Sequence, residues 1–177
     1  MPIRITGGTF RGRLVASPQT SRTRPTAAMT REALFNILQD VSDFRMLDLF
    51  AGSGIMGIEA LSRGAASVVA VEKNFSQSKN IEASYRSLGI SDSLRLCTTT
   101  AETFLKSALS AGERFDLIYA DPPFTEAYPD LRPFTGLLEP SGVAVFEVPS
   151  RRVPEWASAG KIRAYGESSL VFFRASL

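Results

Sequence analysis

The chain has 177 residues, of which 44% are hydrophobic and 21% are charged, a composition typical of a single soluble globular domain. It contains no histidine and one cysteine, Cys97, which excludes an internal disulfide, Ser-His-Asp catalysis and histidine-based zinc sites. No apolar run approaches the roughly 20 residues of a membrane span, and no signal-peptide pattern opens the chain. We therefore expect a cytoplasmic protein with no membrane partner and no metal, whose chemistry would use carboxylates, backbone groups and a bound cofactor.

Positive charge is concentrated at the N-terminus. The formal net charge of +2 divides into +6 for residues 1–31, which contain no acidic residue, and −4 for the rest. All six positive charges belong to arginine, whose planar guanidinium binds phosphate in bidentate fashion and stacks on bases. The asymmetry predicts an arm that binds nucleic acid, although a solvated basic terminus would have the same composition. The candidate contacts are Arg4, Arg11, Arg13, Arg22, Arg24 and Arg31.

The first 40 residues predict a hairpin followed by a helix. Apolar and polar residues alternate around glycines within residues 2–16, which is typical of a β-hairpin. Residues 31–38 carry their apolar side chains on one helical face. We therefore divide the chain into a basic extension over 1–40 and an α/β core over 41–177.

From residue 45 onward, short apolar runs alternate with helical segments. This alternation predicts a mostly parallel sheet covered by helices on both faces. The predicted strands cover 45–50, 67–72, 94–99, 115–120 and 142–148. The predicted helices cover 55–63, 75–88, 101–110 and 127–138. A terminal hairpin is predicted within residues 161–175.

A glycine-rich loop follows the first of the core strands. Residues 51–57 read Ala-Gly-Ser-Gly-Ile-Met-Gly and match the G-x-G-x-x-G pattern between a strand and a helix. Glycines allow a sharp turn and let a ligand approach the amide groups at the start of the helix. Glu72 ends the next strand about 20 residues later, where its carboxylate can accept both hydroxyls of a ribose. The combination predicts a cofactor that contains adenosine.

Two cofactors fit this pattern, since NAD and S-adenosylmethionine both place an adenosine across such a crevice. Asp48 favours S-adenosylmethionine, because a carboxylate before the loop can support it and face the ammonium group of the cofactor. The same carboxylate would repel the pyrophosphate of NAD. An NAD-dependent dehydrogenase is the less favoured alternative.

A second motif, Asp121-Pro122-Pro123-Phe124, follows the strand predicted at 115–120. The prolines stiffen the turn and remove two backbone donors, which leaves the Asp121 carboxylate and the Pro122 carbonyl as acceptors. These oxygens would accept both hydrogens of the exocyclic amine of a base stacked on Phe124 and would aim the nitrogen lone pair at a methyl donor. Asp121, Pro122 and Phe124 are therefore the candidate catalytic residues.

Residues 48–54 (Asp-Leu-Phe-Ala-Gly-Ser-Gly), Glu72 and residues 121–124 resemble the class I S-adenosylmethionine-dependent methyltransferases that modify exocyclic amines. The flanking segments are similar to the bacterial RsmD family, which methylates N2 of one guanine in 16S ribosomal RNA. These flanking segments are residues 5–13, 24–26, 31–38 and 165–170. The chain departs from the family at Ala28-Met29, where an Asp-Arg pair is usual, and at Thr100-Ala101, where Asp often precedes Ala.

The resemblance implies a Rossmann-like class I methyltransferase fold with seven strands, of which the last is antiparallel, and an N-terminal hairpin that binds RNA. It implies S-adenosylmethionine as cofactor, 16S ribosomal RNA or the assembling small subunit as partner, and a guanine held by Asp121, Pro122 and Phe124. The implied cofactor contacts are Asp48, Phe50, Ala51, Gly52, Ser53, Gly54, Glu72, Thr100 and Ala101. At Thr100, the hydroxyl or a backbone amide would contact the adenine.

Two further alternatives use the same motifs. Methyltransferases that act on adenine or cytosine amines in DNA have a related proline-rich loop. A non-catalytic RNA-binding assembly factor would need the basic arm but not the Asp121 carboxylate.

Overall fold

The computed structural model describes residues 2–16, 28–123 and 128–175, and these residues form nine strands and four α-helices. The strands are β1 Ile3–Arg4, β2 Leu14–Val15, β3 Arg45–Leu49, β4 Ser67–Val71, β5 Leu94–Cys97, β6 Phe115–Ala120, β7 Leu138–Pro149, β8 Lys161–Tyr165 and β9 Ser168–Arg174. The helices are α1 Ala28–Leu38, α2 Ile55–Ser62, α3 Phe75–Leu88 and α4 Ala101–Ser110. Three predicted site residues, Arg22, Arg24 and Phe124, lie outside the described ranges.

Seven strands form the central sheet, in the order β5-β4-β3-β6-β7-β9-β8. Neighbouring strands from β5 to β7 are parallel, whereas β9 is antiparallel to both β7 and β8. The inner strands are nearly continuous apolar runs because helices cover both of their faces. The predicted Rossmann-like sheet with an antiparallel last strand is confirmed.

The hydrophobic core of the described residues has two large clusters, one on each face of the sheet, and a small third cluster of Val148, Ala157 and Val171. The first cluster contains residues of α1, α2 and α3, and the second contains residues of α4 and of a short 3-10 helix, Arg132–Leu137. Side chains from alternate positions of β6 point into the two clusters, since Leu117 and Tyr119 belong to the first and Ile118 and Ala120 to the second.

The N-terminal hairpin packs onto the first cluster. Strands β1 and β2 are antiparallel, with Ile3 opposite Val15, as the alternation predicts. Ile3, Ile5 and Val15 are buried together with Leu34 and Phe35 of α1, in the cluster that also contains residues of the central sheet. The residues before and after the predicted boundary at residue 40 therefore share one hydrophobic cluster, and the division into two parts stays a prediction.

The helix predicted over 127–138 is wrong for the part of this segment that the structure describes. The chain has no regular secondary structure from Tyr128 to Leu131 and turns into the 3-10 helix only at Arg132. Pro129 and Pro133 lack the N–H that an α-helical hydrogen bond requires. Asp130 instead accepts a hydrogen bond from the backbone N–H of Arg132, at 3.0 Å.

Candidate active site

The strand order of the sheet reverses between β3 and β6, which are parallel neighbours. From β3 the chain continues outward through β4 and β5, and it then returns to the other side of β3 as β6. Leu49 and Ala120, the last residues of these two strands, are paired. The glycine loop and the Asp121 corner therefore leave the sheet side by side, at the edge where open α/β sheets bind ligands.

The turn from β3 into the glycine loop contains three left-handed residues, Phe50, Gly52 and Gly54. Gly52 has a φ of 55°, and Phe50, which is not glycine, has a φ of 59°. A Cβ atom on Gly52 would have as its nearest neighbour the carbonyl oxygen of Phe50, at 3.8 Å, so this side of the loop is open. An open backbone with its amide groups near a helix start fits an adenosine cofactor.

Gly57 serves packing, because α2 lies very close to the sheet and to α3 at this position. A Cβ atom on Gly57 would lie 2.3 Å from the Tyr85 hydroxyl and 2.7 Å from Cγ1 of Val68. The backbone N–H of Gly57 donates to Oδ2 of Asp48 at 3.3 Å. The third glycine of the motif thus allows the helix to approach the sheet and the Asp48 carboxylate.

Asp48 supports the loop from beneath. Its side chain is 1% exposed and contacts the start of α2 through Gly57. Burial raises the pKa of Asp48 to about 7, a shift that the Gly57 amide opposes and the charge of Glu72 increases. The support of the loop agrees with the sequence prediction, while contact with the ammonium group of a cofactor stays a prediction.

Glu72 links the glycine loop to the end of β4. Its Oε2 accepts the backbone N–H of Gly52 at 2.9 Å, and its Oε1 accepts that of Asn74 at 2.8 Å. A carboxylate has about four acceptor positions, so these two bonds leave capacity for hydroxyl donors. The position and chemistry of Glu72 fit the ribose that the motif predicts.

Thr100 and Ala101 lie at the start of α4, which follows the neighbouring strand β5. The Thr100 Oγ1 accepts the backbone N–H of Thr103 at 3.2 Å and thereby caps the helix. Ala101 is 5% exposed. Because the hydroxyl of Thr100 is engaged in the cap, a backbone amide is the better candidate for the predicted adenine contact.

The Asp121-Pro122 corner directly follows β6. Asp121 is half-buried and Pro122 is buried. The chain returns to the sheet at Tyr128, whose hydroxyl donates to the carbonyl oxygen of Glu147 in β7. Burial raises the pKa of the Tyr128 phenol, and the charges of Asp121 and Glu147 raise it further, so this hydroxyl stays a donor.

Three arginines of the basic arm lie at the surface of the hairpin. Arg4 donates through Nη1 to the carbonyl oxygen of Gly12 at 3.0 Å, and Arg13 donates through Nη2 to that of Ser87 at 3.3 Å. Arg11 is exposed. These side chains stay candidates for RNA contact.

The assignment of Arg31 to RNA binding is wrong, because Arg31 is 1% exposed. Its Nε lies 3.3 Å from Oε1 of Glu59, and its Nη2 donates to the carbonyl oxygen of Arg4 at 2.8 Å. Arg31 therefore holds the hairpin and α1 together from inside.

Sequence analysis missed two buried carboxylates, Glu59 and Glu147. Glu59 is 0% exposed and accepts hydrogen bonds from the backbone N–H and the hydroxyl of Thr6, at 2.7 and 3.1 Å. Glu147 is 4% exposed and accepts a hydrogen bond from the Tyr119 hydroxyl at 2.6 Å. An acidic residue within an otherwise apolar strand or helix is the signal that identifies both.

The described residues contain no group of three or more acidic or cysteine side chains placed to hold a metal ion. They also contain no helix with both the length and the apolar character to cross a bilayer.

The fold and the loop geometry define a class, that of proteins with the class I S-adenosylmethionine-dependent methyltransferase fold. A methyltransferase of this kind from Agrobacterium tumefaciens superposes with a TM-score of 0.67 at 16% identity, over 89% of this chain and 64% of that one. At this identity the likeness concerns the fold alone.

The chain belongs to the family described as Conserved hypothetical protein 95, the RsmD family, which it matches over residues 3–174. Ribosomal RNA small subunit methyltransferase D of Escherichia coli K12 is 37% identical over 141 residues, which are 79% of this chain and 68% of the relative. A hypothetical protein of Thermus thermophilus has a TM-score of 0.82 at 32% identity, over 98% of this chain and 99% of that one.

Proposed function

We propose that this chain transfers a methyl group from S-adenosylmethionine to the N2 amine of a guanine in small-subunit (16S) ribosomal RNA. The observation that carries the proposal is the pairing of Leu49 with Ala120, which brings the glycine loop and the Asp121 corner to adjacent strand ends. Membership of the RsmD family and the name of the Escherichia coli relative support RNA over the DNA and dehydrogenase alternatives. The proposal includes a bacterial cytoplasmic location, where this RNA is made and assembled.

The residues around the glycine loop would hold the cofactor. Glu72 would accept the ribose hydroxyls, and Gly52 would leave room for close approach to the backbone. Asp48 would fix the loop against α2 and attract the cationic part of the cofactor. When bound, S-adenosylmethionine supplies an electrophilic methyl group.

The Asp121 corner would position the acceptor. The amine of guanine is a weak nucleophile, because its lone pair is delocalised into the ring. If the Asp121 carboxylate and the Pro122 carbonyl accept its two hydrogens, the nitrogen becomes more tetrahedral and its lone pair turns toward the electrophile. This positioning needs no strong base, which agrees with a chain that contains no histidine.

The proposal is tested with the purified chain, methyl-labelled S-adenosylmethionine and small-subunit RNA or particles that lack the modification, with DNA as a parallel acceptor. We expect N2-methylguanosine as the labelled nucleoside after digestion and mass spectrometry. Label in DNA, in another nucleoside or in no nucleic acid would contradict the proposal.

Two variants separate the roles of the two motifs. Asp121→Ala should lower kcat by about 100-fold or more with little change in the dissociation constant for the cofactor, because its carboxylate acts on the amine. Glu72→Gln should instead weaken cofactor binding by about tenfold, because it removes a charged acceptor. Calorimetric titration with S-adenosylmethionine and single-turnover kinetics measure the two effects. The same loss of cofactor affinity in both variants would contradict this division.

A further inference from the structure

Glu147 lies beside the Asp121 corner, on the neighbouring strand. Strands β6 and β7 are parallel and pair Tyr119 with Val145 and Ala120 with Phe146. Strand β6 ends at Ala120, so Asp121 directly follows the pair that precedes Glu147 on β7. The hydrogen bond from Tyr119 to Oε2 of Glu147 puts the Glu147 side chain on the Tyr119 face of the sheet, two residues before Asp121.

Tyr128 connects Glu147 to the chain that returns from the Asp121 motif. Its hydroxyl donates to the backbone carbonyl of Glu147. The nearby charges of Asp121 and Glu147 both raise the pKa of this hydroxyl. The two carboxylates and this hydroxyl therefore form one cluster, at the ends of β6 and β7.

The burial of Glu147 calls for hydrogen-bond donors, because a carboxylate is unfavourable away from water unless its oxygens accept hydrogen bonds. Glu147 is 4% exposed and stands between Phe146 and Val148, which are both fully buried. The hydrogen bond from Tyr119 uses one acceptor position of a carboxylate that has about four. A base held at the Asp121 corner would bring further donors to it.

We propose that Glu147 accepts the N1 hydrogen of the acceptor base and thereby selects guanine; this inference rests on the proposed function. Guanine carries an N1–H donor directly beside its N2 amine. Adenine and cytosine carry a ring-nitrogen acceptor beside theirs, which would face the carboxylate lone pair to lone pair. Glu147 is thus a specificity-determining residue, while Asp121 and Pro122 hold the amine.

The test compares two acceptors that both carry the reacting amine. After the methylated guanine has been mapped with the wild-type chain, particles are reconstituted with guanine or with 2-aminopurine at that position. 2-Aminopurine keeps the amine but has an acceptor at N1. We expect the wild-type chain to prefer guanine by about 100-fold in kcat/KM, because the wrong base leaves the buried carboxylate opposite an acceptor.

Glu147→Gln should narrow this preference to about tenfold or less, because an amide can donate to the N1 acceptor of 2-aminopurine. Tyr119→Phe is the control, since it removes the hydrogen bond to Oε2 of Glu147 and leaves the carboxylate in place. It should lower both activities together and keep the preference for guanine at its wild-type value.

The inference is overturned if Glu147→Gln keeps the wild-type preference, or if Tyr119→Phe narrows it equally, which would indicate a purely structural carboxylate. If thermal unfolding shows that Glu147→Gln does not fold, Glu147→Asp replaces it. The shorter side chain withdraws the charge and should also narrow the preference, and an unchanged preference would again refute the inference. A wild-type chain that methylates no guanine would instead refute the proposed function.

Discussion

Asp48 lies beneath the glycine loop with its side chain 1% exposed, and this burial disfavours the ionised carboxylate. Burial raises its pKa to about 7, while the Gly57 amide opposes the shift and the charge of Glu72 adds to it. The pKa of an unfolded aspartate is about 3.9, so between these two values the folded chain holds a proton that the unfolded chain has lost. The stability that this proton confers is fully present below about pH 4 and is lost as the pH rises through about 7.

Asp48→Asn should remove this pH dependence, because an amide does not titrate but can still accept the Gly57 N–H. The free energy of unfolding of the variant, relative to the wild type, should rise by about 1.4 kcal/mol for each pH unit between pH 4 and 7 and level off above. Urea unfolding of both proteins across this range measures the difference. A difference that does not change with pH would show that Asp48 ionises in the folded chain at its ordinary pKa.

For individual residues, the sequence motifs predicted where a side chain lies better than they predicted which other side chains it contacts. Asp48 and Glu72 lie where the glycine pattern predicts them, because strand–loop–helix motifs determine their own backbone geometry. Arg31 was assigned by charge alone, and charge does not distinguish a surface arginine from a buried one. Its partner Glu59 is 28 residues away in the chain, and only the packing of α1 against α2 brings the two together.

The arm formed by the β1–β2 hairpin presents Arg11 and Arg13 at the surface. The double variant Arg11→Ala and Arg13→Ala should weaken binding to small-subunit RNA, because two candidate phosphate contacts are lost. The slope of log K against log salt concentration should become shallower by about 1.5. Filter binding or fluorescence anisotropy across a salt series measures both effects.

The matched control for this variant is Lys106→Ala with Arg114→Ala, which removes the same charge. Both side chains are exposed, and Lys106 belongs to α4, on the opposite face of the sheet from the arm. This control should leave the salt slope within error of the wild type. Equal slopes in the arm variant, the control and the wild type would remove the arm from the RNA-binding surface.

Secondary-structure elements were predictable where their apolar periodicity is strong. The strand predicted at 115–120 and the helices predicted at 75–88 and 101–110 have the observed limits. The segment 127–138 was not predictable from apolar spacing, because its prolines prevent an α-helix whatever the pattern of the other side chains. The observed 3-10 helix depends on the Asp130 hydrogen bond and on packing against α4.

For the molecule as a whole, Glu59 joins three parts of the chain. It lies in α2, it is bonded to Thr6 of the hairpin, and it forms ion pairs with Arg31 of α1 and with Arg63. Since the glycine loop leads directly into α2, the same helix begins at the glycine loop and carries the anchor of the basic arm near its other end. Sequence alone could not predict this arrangement, because the partners belong to segments that the charge distribution separates.

The arm and the α/β core should therefore unfold together. Glu59→Gln removes one charge from a buried ion pair, which should destabilise the chain by about 3 kcal/mol and lower its Tm by about 10 °C for a protein of this size. Glu82→Gln, at an exposed position of α3, is the matched control and should leave Tm unchanged. Scanning calorimetry should show a single transition in all three proteins, with equal calorimetric and van 't Hoff enthalpies. A separate transition at lower temperature, shifted by Glu59→Gln but not by Glu82→Gln, would instead mean that the arm folds as its own unit. The hydrophobic cluster that Ile5 and Phe35 share with the sheet would then not couple the folding of the arm to that of the core.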